Sequence, residues 1–289
     1  MRIAQISLHG RVGLGIQVNG SIRGLMAGQD HYPGSLDSIL AAGGDALQCA
    51  EKVLSTAAEL QGDDLKFLPP VRSPRKVVCL GLNYVDHAIE GGMETPPYPT
   101  LFARFNSGLV GHGEPLVLPR LSSKFDFEGE LVAVVGKGGK DIPKSRALDH
   151  VLGYSIFNDG SIRDYQLKTT QWTAGKNFDH TGAFGPWLVT ADELPSGAKG
   201  LTLQTRLNGQ VMQKASTSEM IFDVATTIAL LSEFMTLESG DVLVMGTPSG
   251  IGAARKPPIY MQAGDVCEVE IENLGLLRNT VVAEERRSD

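Results

Sequence analysis

Apolar and polar positions alternate from the first residue. Met1-Arg2-Ile3-Ala4-Gln5-Ile6 reads as the start of a strand, and 13–18 and 21–25 continue the pattern across turns such as Asn19-Gly20. The period then changes. Between Ser35 and Leu60 the residues Leu36, Ile39, Leu40, Leu47, Val53 and Leu54 recur at helical spacing, and Gly43-Gly44 divides the stretch into two predicted helices. Pro69, Pro70 and Pro74 make residues 67–74 an extended connector, because each proline fixes its own φ and drives its predecessor out of the helical region. The boundary between a small N-terminal α+β domain (1–70) and a larger domain (71–289) is placed there.

Beyond the connector strand signals dominate, at 76–82, 130–135, 153–157, 187–190, 201–207, 242–245 and 266–271. One longer helix is predicted near 222–235, with Asp223 at its start and Leu230, Leu231 and Phe234 on its apolar side. Gly240-Asp241 and Gly264-Asp265 each precede a Val-rich strand and read as tight turns. Strands do not alternate regularly with helices, which disfavours a doubly wound nucleotide-binding sheet; the expected class is mainly β, α+β.

Composition narrows the function classes. A net charge of −7 argues against binding a phosphate backbone, which needs clustered Lys and Arg, so no nucleic-acid partner is expected. No apolar run approaches the roughly 18–20 residues of a membrane helix, and the first residues lack the layout of a signal peptide. Cys49, Cys79 and Cys267 have no paired metal spacing and read as reduced and structural. A cytoplasmic protein is the expectation.

The most informative stretch is Phe125-Asp126-Phe127-Glu128-Gly129-Glu130, which runs into the wholly apolar 131–135. On a strand Asp126, Glu128 and Glu130 share one face. A solvated strand edge would explain alternating acids, but the unbroken apolar continuation points to burial. Buried like charges need a counter-cation, and oxygen ligands favour a hard ion, Mg²⁺ or Mn²⁺ with Ca²⁺ also possible. Asn158-Asp159-Gly160 places a further carboxylate at a strand end. If 84–90 is helical, His87 and Glu90 lie on one side, so that Glu90 orients a general base; an incidental surface ion pair is the competing reading. Lys176 sits among small and aromatic residues, and 246–252 is a rigid loop without the Gly-Lys-Ser/Thr ending of a phosphate loop.

Taken in order, these segments resemble the fumarylacetoacetate hydrolase family over residues 75–283. The motifs are Gly81-Leu82-Asn83-Tyr84 with His87 and Glu90, then 126–131, 158–166, Gly175-Lys176-Asn177-Phe178-Asp179, and 246–252. The resemblance implies a mixed β-sandwich roll, usually homodimeric, with Glu128, Glu130 and Asp159 as metal ligands and Asp126 only as a support. It further implies His87 with Glu90 as the base that activates water, Lys176 and Thr247 as substrate contacts, and Arg163 and Gln166 at the pocket border. Arg104, where family members often carry Lys, and His180 depart from the pattern and are expected near the pocket.

The implied reaction is hydrolysis of the C–C bond of a 2,4-dioxo acid to pyruvate and a carboxylic acid, with Lys176 beside the developing enolate. Oxaloacetate decarboxylation and 2-hydroxy-dienoate isomerisation use the same site without water attack. A non-catalytic metal-stabilised binding module is the alternative from another class.

Overall fold

The structure is a computed structural model that describes residues 1–285, so the last four positions of the expected larger domain lie outside the described residues. Two sheets form the frame. The larger runs, edge to edge, through Ser21–Met26, Arg11–Val18, Arg2–Leu8, Gly182–Thr190, Val151–Asp159, Gly129–Val135, Val242–Val244, Val77–Gly81 and Thr100–Ala103. The smaller contains Gln210–Ser216, Thr202–Leu207, Val266–Ile271, Gly275–Ala283 and Leu116–Leu118. Pairing is mainly antiparallel, with Val242–Val244 lying parallel to Val77–Gly81. This is the sheet-dominated α+β architecture expected.

Strand Gly129–Val135 explains why its sequence does not alternate. Leu131, Ala133 and Val135 face the core shared with Leu203, Val269 and Ile271 of the smaller sheet. Val132 and Val134 face the opposite core, where Leu36, Ile39, Leu40 and Leu54 of the two N-terminal helices pack. Both faces of residues 131–135 are buried, so this stretch is apolar throughout.

The N-terminal region does not form a separate layer. Arg2 and Ile3 pair with Val189 and Leu188, extending the same sheet, and the helices Leu36–Ala42 and Ala46–Thr56 cover that sheet's outer face. Asp37 fastens the join, accepting from Gln5 Nε2 at 2.6 Å and from the N–H of Ser73 at 2.8 Å. Residue 70 therefore marks a change of element rather than a break in the core.

The longer helix, Val224–Phe234, starts at Asp223, whose carboxylate accepts from the N–H of Thr226 at 2.8 Å. Leu231 is buried as expected, but Phe234 is 57% exposed, because the helix ends there and its last turn leaves the core. Among the described residues no helix is long and apolar enough to cross a membrane.

Asn83 holds together the strand ends beneath the cavity described below. Fully buried, it donates to the carbonyls of Met245 (2.7 Å) and Phe222 (3.0 Å) and accepts from the N–H of Phe222 (2.8 Å). Asn83→Ala leaves these groups unpaired and should lower stability by about 2–4 kcal/mol in urea denaturation. A loss below about 1 kcal/mol would show that water replaces the amide.

Candidate active site

Register brings the carboxylates together. Glu128 immediately precedes strand Gly129–Val135, and Gly129 pairs with Asn158, so that Asp159 at the end of the neighbouring strand lies beside it. The N–H of Asp159 donates to the carbonyl of Glu128 at 2.8 Å, and Asn158 Oδ1 accepts from the N–H of Glu128 at 3.0 Å. Oxygens of Glu128, Glu130 and Asp159 all lie within 4.8 Å of one another, and all three residues are buried. Asp126 sits on a separate short strand, Phe125–Asp126, paired with Ser161–Ile162. Its oxygens accept from the N–H groups of Gly252 and Ala253 and from Arg163 Nε. It braces the loop and the arginine, and it is not a member of the triad.

Three buried cations surround the acids. Lys176 Nζ bridges Glu128 Oε2 (2.5 Å) and Asp159 Oδ2 (2.6 Å). Arg163 Nη2 forms an ion pair with Glu128 Oε1 at 2.7 Å. Arg104 donates to Asp159 Oδ1, and also to the carbonyl of Gly160 (3.1 Å) and Thr181 Oγ1 (2.9 Å). Lys176 reaches this position because its helix, Thr173–Lys176, packs tightly on Arg163–Gln166; a Cβ on Gly175 would lie 2.3 Å from the backbone nitrogen of Gln166.

Burial pushes both glutamates toward the neutral form, but their neighbours separate them. Arg163 and Lys176 override burial at Glu128 and hold its carboxyl far below the usual range. At Glu130 burial is reinforced by the charges of Asp159 and Glu128, and its carboxyl is pushed well above that range. Burial opposes the Lys176 charge, yet Asp159 and Glu128 outweigh it and keep the ammonium protonated. Glu130 has one donor, the N–H of Gly246 at 2.5 Å, and among the described residues no cation of the chain pairs with it. An all-oxygen set with one uncompensated carboxylate fits a hard divalent cation, and Glu128, Glu130 and Asp159 are the residues that would hold it.

A cavity of about 280 Å³ opens onto this cluster. His87, Glu90, Glu128, Glu130, Arg163, Gln166, Lys176 and Thr247 all line it. His87 Nδ1 lies 3.0 Å from Glu90 Oε1, and the other oxygen of Glu90 accepts from the N–H of Gly250 at 2.9 Å. Gly246 enters the loop with φ of 88°, where a side chain would meet Asn83, 2.7 Å from the position of its Cβ. Leu82, also on the wall, holds φ of 58° without being glycine. The rest of the wall is apolar and includes Leu80, Met93, Phe102, Leu167, Trp172 and Ile251.

Two expected contacts are not made. Arg104 is buried behind Asp159, outside the cavity lining, with its two terminal nitrogens committed to Asp159, Gly160 and Thr181. His180 is exposed in a turn with φ of 55° and is also absent from the lining. Asp159 itself lies behind Lys176 rather than on the open wall. Sequence reasoning missed Gln213, whose strand offers no signal, and Trp172, one of only two tryptophans, which lies against Gly81 and edge-on to Phe102.

A sheet-dominated α+β frame carries a buried Glu-Glu-Asp triad that could hold a divalent metal, a lysine beside it and a His–Glu pair in the same cavity. Residues 76–282 match the family described as Fumarylacetoacetate (FAA) hydrolase C-terminal, and the chain belongs to that family. It is 40% identical over 275 residues to a mitochondrial oxaloacetate tautomerase of Xenopus laevis, covering 94% of this chain and 86% of the relative. A human mitochondrial oxaloacetate tautomerase is 38% identical, with 98% and 92% covered. The solved fumarylacetoacetate hydrolase of Exiguobacterium antarcticum superposes with a TM-score of 0.85 at 36% identity, over 98% of this chain and all of that one.

Glu130→Gln removes one candidate ligand together with the cost of burying a carboxyl beside Asp159 and Glu128. The metal-free variant should melt at or above the wild-type temperature and lose the rise that Mn²⁺ gives the wild type, which amounts to about 2.7 kcal/mol at a hundredfold excess over Kd. Differential scanning calorimetry reads both, and a variant that keeps the full metal-dependent rise would exclude Glu130 as a ligand.

Proposed function

We propose that the chain is a divalent-metal-dependent enzyme of enol chemistry, interconverting the keto and enol forms of a small 2-oxo dicarboxylate of the oxaloacetate type. The carrying observation is that a base oriented by a carboxylate, His87 with Glu90, shares one cavity with Glu128, Glu130 and Lys176. The activity named for the two vertebrate relatives supports the same reading. A bound Mg²⁺ or Mn²⁺ would act as a Lewis acid on the 2-oxo group and spread the negative charge of an enolate.

The chain's own groups account for the proton. With Nδ1 donating to Glu90, His87 offers Nε2 as base. Nε2 takes a proton from C3; the electron pair of that C–H bond becomes the C2–C3 double bond, and charge moves to the C2 oxygen. Lys176 has given two N–H bonds to Glu128 and Asp159, so its third is free for that oxygen. The imidazolium then returns the proton to the oxygen, and the reverse sequence restores the ketone.

Hydrolysis of a 2,4-dioxo acid, the reaction expected from the sequence, is the second reading. The cavity's apolar outer wall favours it, since a four-carbon diacid does not need that surface. In it His87 activates water toward the C4 carbonyl instead of taking the C3 proton.

Following enol absorbance of oxaloacetate and pyruvate release from acylpyruvates, with Mn²⁺, separates the two readings. Faster tautomerisation without pyruvate release supports the first, and pyruvate from acylpyruvates alone supports the second. In either case His87→Ala should cut kcat by roughly a hundred- to ten-thousandfold. Retention of full activity would remove His87 from the chemistry.

A further inference from the structure

Thr247 stands on the cavity wall, 3% exposed, in a hydrogen-bond arrangement that fixes the direction of its hydroxyl. Gln213, on strand Gln210–Ser216 of the smaller sheet and 1% exposed, sets it. The orientation of the Gln213 amide is determined by its partners. Oε1 accepts from the N–H of Gly129 at 3.0 Å, and Nε2 donates to the carbonyl of Pro248 at 2.8 Å. A flipped amide would set NH₂ against N–H and carbonyl against carbonyl. Nε2 therefore also donates to Thr247 Oγ1 at 2.8 Å, and Thr247 must accept. Its single proton is directed to the carbonyl of Gly129 at 3.0 Å. One lone pair of Oγ1 remains for a ligand.

We infer that Thr247, positioned by Gln213, is a hydrogen-bond acceptor for the substrate and selects a ligand carrying an O–H group, the enol or 2-hydroxy form of a 2-oxo acid. The inference rests on the enol-chemistry reading and deepens it. Lys176 and Arg163 in the same cavity offer only donors, which suit carboxylates and keto oxygens. A keto acid in its ionised form has no proton to give Thr247, whereas the enol has one. The site then distinguishes the two tautomers by a bond that only one of them can make, and Gln213 acts through Thr247 rather than on the substrate.

The test is calorimetric binding of pyruvate and lactate, which differ at C2 in carbonyl against hydroxyl, to Mn²⁺-loaded protein. Binding needs no turnover, so a failed tautomerase assay and a failed inference are separate results. Thr247→Val should weaken lactate about fivefold to tenfold, as loss of one hydrogen bond implies, and leave pyruvate within about twofold. Thr247→Ser should keep the wild-type ratio of the two affinities. Gln213→Met, which frees the hydroxyl to donate, should move that ratio toward pyruvate; a general loss of stability lowers both affinities and leaves the ratio alone. Equal weakening of both ligands by Thr247→Val, no effect on either, or failure of lactate to bind the wild type would each overturn the inference.

Discussion

Four carboxylates, those of Asp126, Glu128, Glu130 and Asp159, are taken out of water in one small volume, and the rest of the site follows from that cost. An unpaired buried carboxylate is expensive enough to give up its charge or the fold. Arg104, Arg163 and Lys176 come from three different segments to meet them, which ties the end of strand Thr100–Ala103 and the helices Arg163–Gln166 and Thr173–Lys176 to the centre. The cluster stays one positive charge short, and the shortfall falls on Glu130. A divalent cation held there would turn that shortfall into an excess of one positive charge, which suits the carboxylate of the proposed substrate.

The apolar half of the cavity works on the same electrostatics from the other side. Phe102 lies under Lys176 with its ring centre 4.9 Å from Nζ, and Trp172 closes over Gly81 next to it. Excluding water from this wall lowers the local dielectric, so the ammonium would act with little screening on the oxyanion of the proposed reaction. The same wall carries no charged side chain, so a ligand group that reaches past Lys176 and Arg163 onto it meets no ion-pair partner there.

Much of this was legible in the sequence, and the residues show why. The strand that supplies Glu130 was visible because an apolar run buried on both faces leaves no doubt about its environment, and the helix pair at 36–56 was visible because its glycine break is explicit. The alternation argument put Asp126 with Glu128 and Glu130, but the chain breaks its strand between Asp126 and Gly129, and the face changes there. Arg104 was expected at the pocket; only register shows that Asp159 intercepts it. Gln213 could not be seen at all, since its partners Gly129, Thr247 and Pro248 lie 34 or more residues away and its own strand reads as an ordinary polar one. Long-range polar contacts of this kind leave no local period.

The pairing of Arg2–Leu8 with Gly182–Thr190 carries one more implication. A protein trimmed to the family segment 76–282 would present the backbone of Leu188 and Val189 as an open sheet edge, flanked by apolar side chains that Ile3 and its neighbours now shield. Such an edge recruits strands from other molecules. The first three strands thus serve as a guard against edge-to-edge association, and their loss would be felt as precipitation before it was felt as slower chemistry.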